Sequence, residues 1–213
     1  MAGSMAKMTA AVTPKGERRR YALVTAASEL LCEGGFEAVT HRAVAQRAGL
    51  PLASTTYYFS SLEDLVEAAT EHIGAAEAAA LRDRLHDVSR RRRGADATAE
   101  LVLDLLAGEP TSEQLICRYE RYIACARHPA LRAVERRLQQ QRVQAVAEAV
   151  ARSGRSARAD MVTALVRAVD GAVISALAAG DSEPRRAARA TLVDVIDALA
   201  PIDSRSGGWT SVA

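Results

Sequence analysis

The positions of the prolines constrain most strongly how this chain can fold. Six prolines occur in the sequence, and each falls where a period of apolar residues begins or breaks, as proline does in helical chains. The intervals between them carry apolar residues at helical spacing. Nine helices are predicted, over about 16–34, 41–48, 51–58, 60–90, 96–107, 112–127, 129–153, 156–180 and 184–200.

The composition favours an all-α fold. The chain is 49% hydrophobic but only 4% aromatic. Its most frequent residues, Ala, Leu, Val, Arg and Glu, are mostly good helix formers, and long β-branched runs of the kind found in sheets are missing. No apolar stretch is expected to reach the roughly 18 residues of a membrane span, and no secretory segment follows Met1. A cytoplasmic location is therefore expected.

Charge is distributed unevenly along the chain. The formal net charge is only +2, from 28 basic and 26 acidic residues, so the protein as a whole is not a basic nucleic-acid binder. Residues 1–60 contain seven basic groups and four glutamates, a net +3, which leaves 21 basic and 22 acidic residues, a net −1, in the rest. This asymmetry favours an N-terminal end that faces DNA on a nearly neutral body.

The cysteines do not indicate a metal site or a disulfide framework. Cys32, Cys117 and Cys125 lack CxxC or His-paired spacing, and they are predicted to pack as small apolar side chains. The histidines also lack metal-ligand spacing, so neither a metal nor a cofactor is expected. No GxSxG, HExxH, GxGxxG or P-loop string occurs, and an enzyme is not expected either.

Residues 40–65, THRAVAQRAGLPLASTTYYFSSLEDL, predict two short helices joined at a glycine. Thr40 is the expected N-cap of the first helix, whose inward face carries small side chains. Gly49 supplies the permissive backbone that a tight turn needs. A short second helix over 51–58 completes a helix-turn-helix, a motif whose second helix enters the major groove of DNA.

The string AQRAGLPLASTTYYFSSLEDL (45–65) closely resembles the DNA-binding domain of the TetR family of transcriptional regulators. The pattern of that domain is roughly A-x-x-A-G-[VI]-x-x-x-x-[LIF]-Y-x-[YH]-F-x-[SN]-K-x-x-L. The resemblance covers residues 18–66, and ALVRAVDGAVISAL (164–177) also resembles the family's penultimate, dimer-forming helix. The chain departs from the pattern at Thr56, where Tyr is usual, and at Leu62, where Lys is frequent.

The resemblance implies which residues contact DNA. The positions at which the family reads bases correspond to Arg42, Leu52, Ala53 and Ser54. The positions at which it contacts the DNA backbone correspond to Thr40, Thr56, Tyr57 and Tyr58. Arg19, in the basic start of the first helix, is expected to add a phosphate contact. Which of the two adjacent tyrosines faces DNA is left open, because neighbouring residues do not share one helix face.

The resemblance also implies that the C-terminal helices enclose an apolar ligand pocket and that the last two form a four-helix bundle between subunits. A pocket is predicted beside Tyr119, Tyr122 and Ala126, which share a helical face, and beside Val169. Core packing, with the tyrosine hydroxyls bonded elsewhere, is the alternative for this group. The dimer interface is predicted to contain the apolar stripe of the last two helices: Val166, Val173, Leu177, Leu192 and Ile196.

The expected organisation is a disordered arm (1–14), a helix-turn-helix domain (15–60), a ligand-sensing and dimerisation domain (61–203) and a flexible tail (204–213). The expected function is that of a homodimeric repressor that binds an inverted-repeat DNA operator and responds to a small hydrophobic or amphipathic ligand. A helical scaffold or protein-interaction protein without sequence-specific DNA binding is the alternative, but it leaves residues 40–65 unexplained.

Overall fold

The structure, a computed structural model, describes residues 13–108 and 111–203. Its regular elements in these ranges are helical, apart from an isolated bridge between Arg155 and Ile202, and the all-α prediction is confirmed. The helices are α1 Pro14–Ala38, α2 His41–Arg47, α3 Leu52–Tyr58, α4 Leu62–His86, α5 Ala95–Leu106, α6 Ser112–Ala124, a 3₁₀ turn Pro129–Leu131, α7 Arg132–Arg152, α8 Ala159–Ala178 and α9 Pro184–Leu199. The predicted tail and nearly all of the predicted arm lie outside the described residues.

The chain divides into two compact units, one that ends at His72 and one that begins at Ile73. The division falls within α4, later than the predicted boundary at residue 60, because the first turns of this helix pack in the first unit. There Leu65 and Ala69 are fully buried. The hydroxyl of Ser28 on α1 donates to the carbonyl oxygen of Ala69 at 3.2 Å, which joins the two helices inside this unit.

The end of α1 and the start of α4 show how local chemistry determines where a helix ends or begins. Helical geometry in α1 is interrupted at Gly34 and Gly35, the latter with a φ of +66°, where the sequence predicts the helix to stop. The start of α4 is capped at Ser61, and Ser60 and Glu63, which have the spacing of a capping box, form no cap. The hydroxyl oxygen of Ser61 accepts a hydrogen bond from the amide of Asp64 at 3.0 Å, so Ser61 provides the side-chain cap.

The core of the second unit is formed mainly by α5, α7, α8 and α9, with Leu81 from α4 and Leu115 and Tyr119 from α6. Its largest side chains are almost completely buried: Leu103, Val146, Leu165, Val169, Leu192 and Ile196. Helix α8 packs against α6, α7 and α9, as expected of a helix that is apolar nearly all round. The second unit therefore possesses a core of its own within one chain.

Two sequence expectations are corrected here. Helix α8 is long and apolar enough to cross a membrane by length and composition, contrary to the expectation that no such stretch exists. This is weak evidence for a span, because core helices pass the same test, and α8 supplies core residues such as Leu165. Among the cysteines, Cys125 is a free, buried thiol as predicted, whereas Cys32 and Cys117 are not free thiols.

Candidate DNA-binding site and ligand cavities

The turn between α2 and α3 is built on Gly49. Its φ is +63°, a conformation that strains any residue with a Cβ atom. The amide of Leu50 donates to the carbonyl of Ala45 at 2.9 Å, and that of Gly49 donates to Gln46 at 3.2 Å. These two bonds are the Schellman motif that closes a helix C-terminus. The chain can therefore start α3 within a few residues, as a helix-turn-helix requires.

Thr40 caps the start of α2, as predicted. Its hydroxyl oxygen accepts a hydrogen bond from the amide of Ala43 at 3.1 Å, while the residue itself is exposed. The hydroxyl proton is not used by this bond and is available for an acceptor such as a phosphate oxygen. Arg42 is exposed in the first turn of the same helix, so a charged and a hydroxyl donor lie close together along the chain.

Helix α3 presents apolar and hydroxyl side chains rather than cations. Leu52 is 51% exposed, Ala53 and Thr56 are also exposed, and Ser54 is half-buried. Thr55 is completely buried and anchors the helix from within. A helix of this composition can read bases by apolar contact with thymine methyl groups and by hydroxyl hydrogen bonds.

The two adjacent tyrosines of α3 differ in exposure. The side chain of Tyr57 is 75% exposed, whereas Tyr58 is half-buried. Their rings meet edge to face with centroids 4.9 Å apart. Tyr57 is therefore the more accessible of the two tyrosines.

The basic residues of the first unit fall into two groups. The guanidinium of Arg47 pairs with Glu33 at 2.7 Å and Glu29 at 3.3 Å, and its hydrogen bond lowers the pKa of Glu33. Arg20 lies over the ring of Phe59, 5.1 Å from its centroid. Arg19, in contrast, is exposed on α1. Arg19 and Arg42, the predicted DNA contacts of positive charge, are both exposed, as are Lys15 and Arg18.

The residues predicted to line one ligand pocket are not brought together. Tyr119 is buried, and its hydroxyl donates to Oδ1 of Asp170 at 3.1 Å. This arrangement corresponds to core packing, the alternative to a pocket at this tyrosine. Burial and the charge of Asp170 raise its pKa, so it remains a donor. Tyr122 is 39% exposed, and Ala126 is exposed beyond the end of α6. Val169 is a core residue.

A cavity of about 510 Å³ in the second unit is lined by residues of α5, α6, α8 and α9. Its apolar floor includes Leu103 and Val173. Arginines on its rim are already paired, since Arg185 contacts Glu100 at 2.6 Å and Arg189 contacts the same carboxylate at 2.8 Å. None of the predicted pocket residues lines this cavity.

Two further cavities lie side by side between α4 and α7. One has a volume of about 30 Å³ and also reaches α6, and the other has a volume of about 290 Å³. They share Ala78, Leu81 and Gln141 in their walls. Sequence reasoning missed both, because their walls come from segments that lie far apart in the chain.

The residues predicted for the dimer interface are mostly used inside the chain. Val166, Val173, Leu192 and Ile196 are at most 2% exposed within a single protomer, because α8 and α9 pack against each other and against α5 and α7. A partner subunit could reach them only by opening this core. Leu177 alone is half-buried. The face of α8 that remains exposed carries other residues: Arg167, Gly171, Ser175 and Ala178.

Comparison with known families agrees with this architecture. Residues 23–69 match "Bacterial regulatory proteins, tetR family" and residues 89–198 match "Tetracyclin repressor-like, C-terminal domain". Together these matches cover most of the chain, and the protein belongs to the TetR family of DNA-binding transcriptional regulators. The resemblance seen in the helix-turn-helix sequence is thereby confirmed.

Solved structures of similar fold include regulators and a multidrug-binding protein. EbrR complexed with proflavin is 28% identical, with a TM-score of 0.64 over 84% of this chain and 99% of that one. EbrR complexed with imidazole is 27% identical, with a TM-score of 0.65 over 88% and 98%. The regulator SCO7518 from Streptomyces coelicolor A3(2) is 24% identical, with a TM-score of 0.65 over 84% and 98%. Curated proteins gave no match.

Proposed function

We propose that this protein is a homodimeric repressor that binds an inverted-repeat operator and is released from it, or driven onto it, by a small molecule. The helix-turn-helix of the first unit carries this proposal, because a Schellman turn at Gly49 places a short α3 directly after α2. Arg42, Leu52 and Tyr57 are exposed on these two helices. They are the side chains with the reach to contact base edges in a major groove.

The phosphate contacts are assigned to residues around this group. Thr40 and Thr56 offer hydroxyls, and Arg19 offers a positive charge at the start of α1. Ala53 and Ser54 complete the base-facing surface. Because α3 contains no Lys or Arg, affinity depends more on hydroxyl and backbone donors than on charge.

The dimer is assigned to the exposed faces of α8 and α9. Small side chains at Gly171, Ser175 and Ala178 are spaced along one face of α8 and allow a second helix to approach closely. The same face in a second copy gives an isologous contact with two-fold symmetry. This symmetry matches an inverted-repeat operator, and it replaces the predicted contact through Val173 and Leu192.

Ligand response is assigned to the second unit. EbrR, of the same fold, has been solved with imidazole and with proflavin, and the second unit of this chain has cavities of its own. A ligand changes operator affinity only if it binds the two DNA-binding states differently. Helix α4 contributes core residues to both units, Leu65 to the first and Leu81 to the second, and is the element through which binding is transmitted.

A regulator of this kind acts in the cytoplasm and catalyses no reaction. The alternative, a helical scaffold without sequence-specific DNA binding, is separated from it by selection. The full-length protein is incubated with random-sequence DNA, and bound molecules are amplified over several rounds. A regulator enriches one sequence with two-fold symmetry. A scaffold, or a protein held only by charge, enriches none.

Tyr57→Ala, with Tyr21→Ala as its control, tests whether this surface makes the contact. Both tyrosines are exposed in the first unit, at 75% and 61%. We expect Tyr57→Ala to weaken binding to the selected site by about tenfold or more, roughly 1.4 kcal/mol, and Tyr21→Ala to leave it nearly unchanged. Equal losses in the two variants would remove α3 from the DNA interface. Circular dichroism confirms that both variants are folded.

A further inference from the structure

We propose that the ligand of the second unit is an amphipathic carboxylate, whose carboxylate group binds to Arg84, Arg118 and Arg142 in the small cavity between α4, α6 and α7. Its apolar body lies in the adjoining cavity between α4 and α7. This inference rests on the proposed ligand response and names the chemical class that the second unit senses.

The small cavity combines three guanidinium groups with an apolar wall and with Glu77, whose carboxylate pairs with Arg121 and Arg118. Arg84, Arg118 and Arg142 come from three different helices and line a volume of about 30 Å³, close to the share of one water molecule in the liquid. Leu81 and Leu106 contribute to the wall. A space of this size takes a small polar head group and excludes the bulk of a ligand.

The hydrogen-bond donors of these arginines are only partly used. Nε of Arg84 donates to the carbonyl of Leu105 at 3.1 Å, and Arg118 donates to the carbonyl of Leu106 at 3.2 Å. Arg142 holds Asp170 through its two terminal nitrogens, but its buried Nε has no partner among the described residues. Planar guanidinium groups that line a shared space match the geometry of a carboxylate.

The arginines around the cavity differ in how they are paired. Glu77 pairs with Arg121 at 2.7 Å and Arg118 at 3.4 Å, and Arg121 also faces Glu135 at 3.6 Å. Asp170 pairs with Arg142 at 2.6 Å. Among the described residues, Arg84 forms no such ion pair.

The guanidinium of Arg84 lines the small cavity together with that of Arg118. Burial lowers the pKa of Arg84, and the positive charge of Arg118 lowers it further. Asp83, Asp104 and Glu77 act in the opposite direction, but Asp104 is also held by Arg185. An added carboxylate would relieve this repulsion.

The adjoining cavity suits an apolar chain. It has a volume of about 290 Å³ and shares Ala78 and Leu81 with the small cavity, so a ligand can occupy both. Leu85 and Ala145 extend its apolar wall, and the rest of its lining is polar: Arg82, Gln141, Gln144 and Glu148. An anionic head with an aliphatic or aromatic body fits the two α4–α7 cavities together.

Calorimetric titration of the full-length protein with octanoate, 1-octanol and octylamine tests the inference. These probes share one chain length and differ in the charge of the head group. We expect octanoate to bind at least about tenfold more tightly than the other two. Arg84→Gln should weaken octanoate binding by about tenfold or more, Arg84→Lys should retain most of it, and Arg136→Gln, which removes an exposed charge from α7, should not change it.

Equal binding of the three probes, or unchanged octanoate affinity in Arg84→Gln, would overturn the inference. If Arg84→Gln unfolds, Arg118→Gln takes its place. Ala107→Trp, which fills the 510 Å³ cavity, should leave octanoate binding intact, and a loss there would assign the ligand to that cavity instead. Operator affinity is measured separately. A neutral effector that changes it while octanoate fails to bind would contradict the inference and leave the proposed function standing.

Discussion

At the scale of single residues, the first unit separates cations that stabilise the fold from cations that can reach DNA. Arg47 is held by Glu33 and Glu29, and Arg20 lies over Phe59. Arg42 is exposed beside the capped start of α2. The sequence could assign Arg42 from the family pattern, but it could not exclude Arg47, whose partners lie on a different helix.

Arg42→Ala and Arg19→Ala are expected to have different effects on DNA binding. Arg42→Ala should cost about 1–3 kcal/mol on the selected operator and relax the preference at one base position, because a base contact is lost. Arg19→Ala should weaken binding to all sequences alike and lower the salt dependence by about one unit, because a phosphate contact is lost. Fluorescence anisotropy at several salt concentrations measures both. Unchanged sequence preference in Arg42→Ala would rule it out as a reader.

The buried pair between Arg142 and Asp170 yields a prediction about stability. Asp170→Asn leaves the guanidinium of Arg142 without its counter-charge and should lower the free energy of unfolding by about 3–5 kcal/mol. Tyr119→Phe removes one hydrogen bond to the same carboxylate and should cost about 1 kcal/mol.

Urea unfolding measures these changes. Asp160→Asn is the control, because Asp160 is an exposed residue on the same helix that pairs with Arg158 at 2.7 Å. We expect its effect to be small, as is usual for surface ion pairs. A loss in Asp160→Asn as large as that in Asp170→Asn would contradict the role given to burial.

At the scale of elements, the helical periodicity of the sequence predicts where the helices lie but not which of their sides pack within the protomer. It predicts a helix over about 156–180, and α8 lies there, with apolar residues around the whole helix. It does not say which side a second helix of the same chain covers and which side remains exposed. For this reason the apolar stripe predicts Val173 and Leu192 at the dimer interface, whereas Gly171 and Ser175 are the exposed residues.

Helix α6 shows a second limit of the sequence. Ala126 shares a face with Tyr119 and Tyr122 only if the helix continues past it. Helix α6 ends at Ala124, and no glycine or proline at that point marks the end in the sequence. The arginine cluster was equally hidden, since Arg84, Arg118 and Arg142 come from three helices. By contrast, the cap at Thr40 and the turn at Gly49 are local, and the sequence predicted both.

Gly171→Glu and Val173→Glu should separate the dimer interface from the protomer core. A Cβ atom added at Gly171 would meet nothing within 4 Å, so the protomer should fold and the charge should prevent close approach of a second helix. Val173→Glu should unfold or aggregate the protomer, because it buries an unpaired charge. Sedimentation velocity should give folded monomers for Gly171→Glu. A dimer as stable as that of the wild type would remove this face of α8 from the interface.

At the scale of the whole molecule, the two units have complementary roles. The first contains the helix-turn-helix, and the positive excess of residues 1–60 lies within it, although the acidic first turns of α4 offset that excess. The second carries the larger core, the cavities and the exposed face of α8. Helix α4 runs from Leu62 to His86 and belongs to both units, so a change in its packing in one unit can alter the other. Typical couplings of this kind amount to about 1–3 kcal/mol.

Footprinting on the selected operator, with the stoichiometry of the complex measured by sedimentation, tests most directly whether this regulator binds DNA as a symmetric dimer. We expect two protein chains on each duplex and two equivalent protected half-sites, with centres about one helical turn, roughly 34–36 Å, or modestly more apart. A single chain on each site, or a protected sequence without two-fold symmetry, would contradict the proposed function.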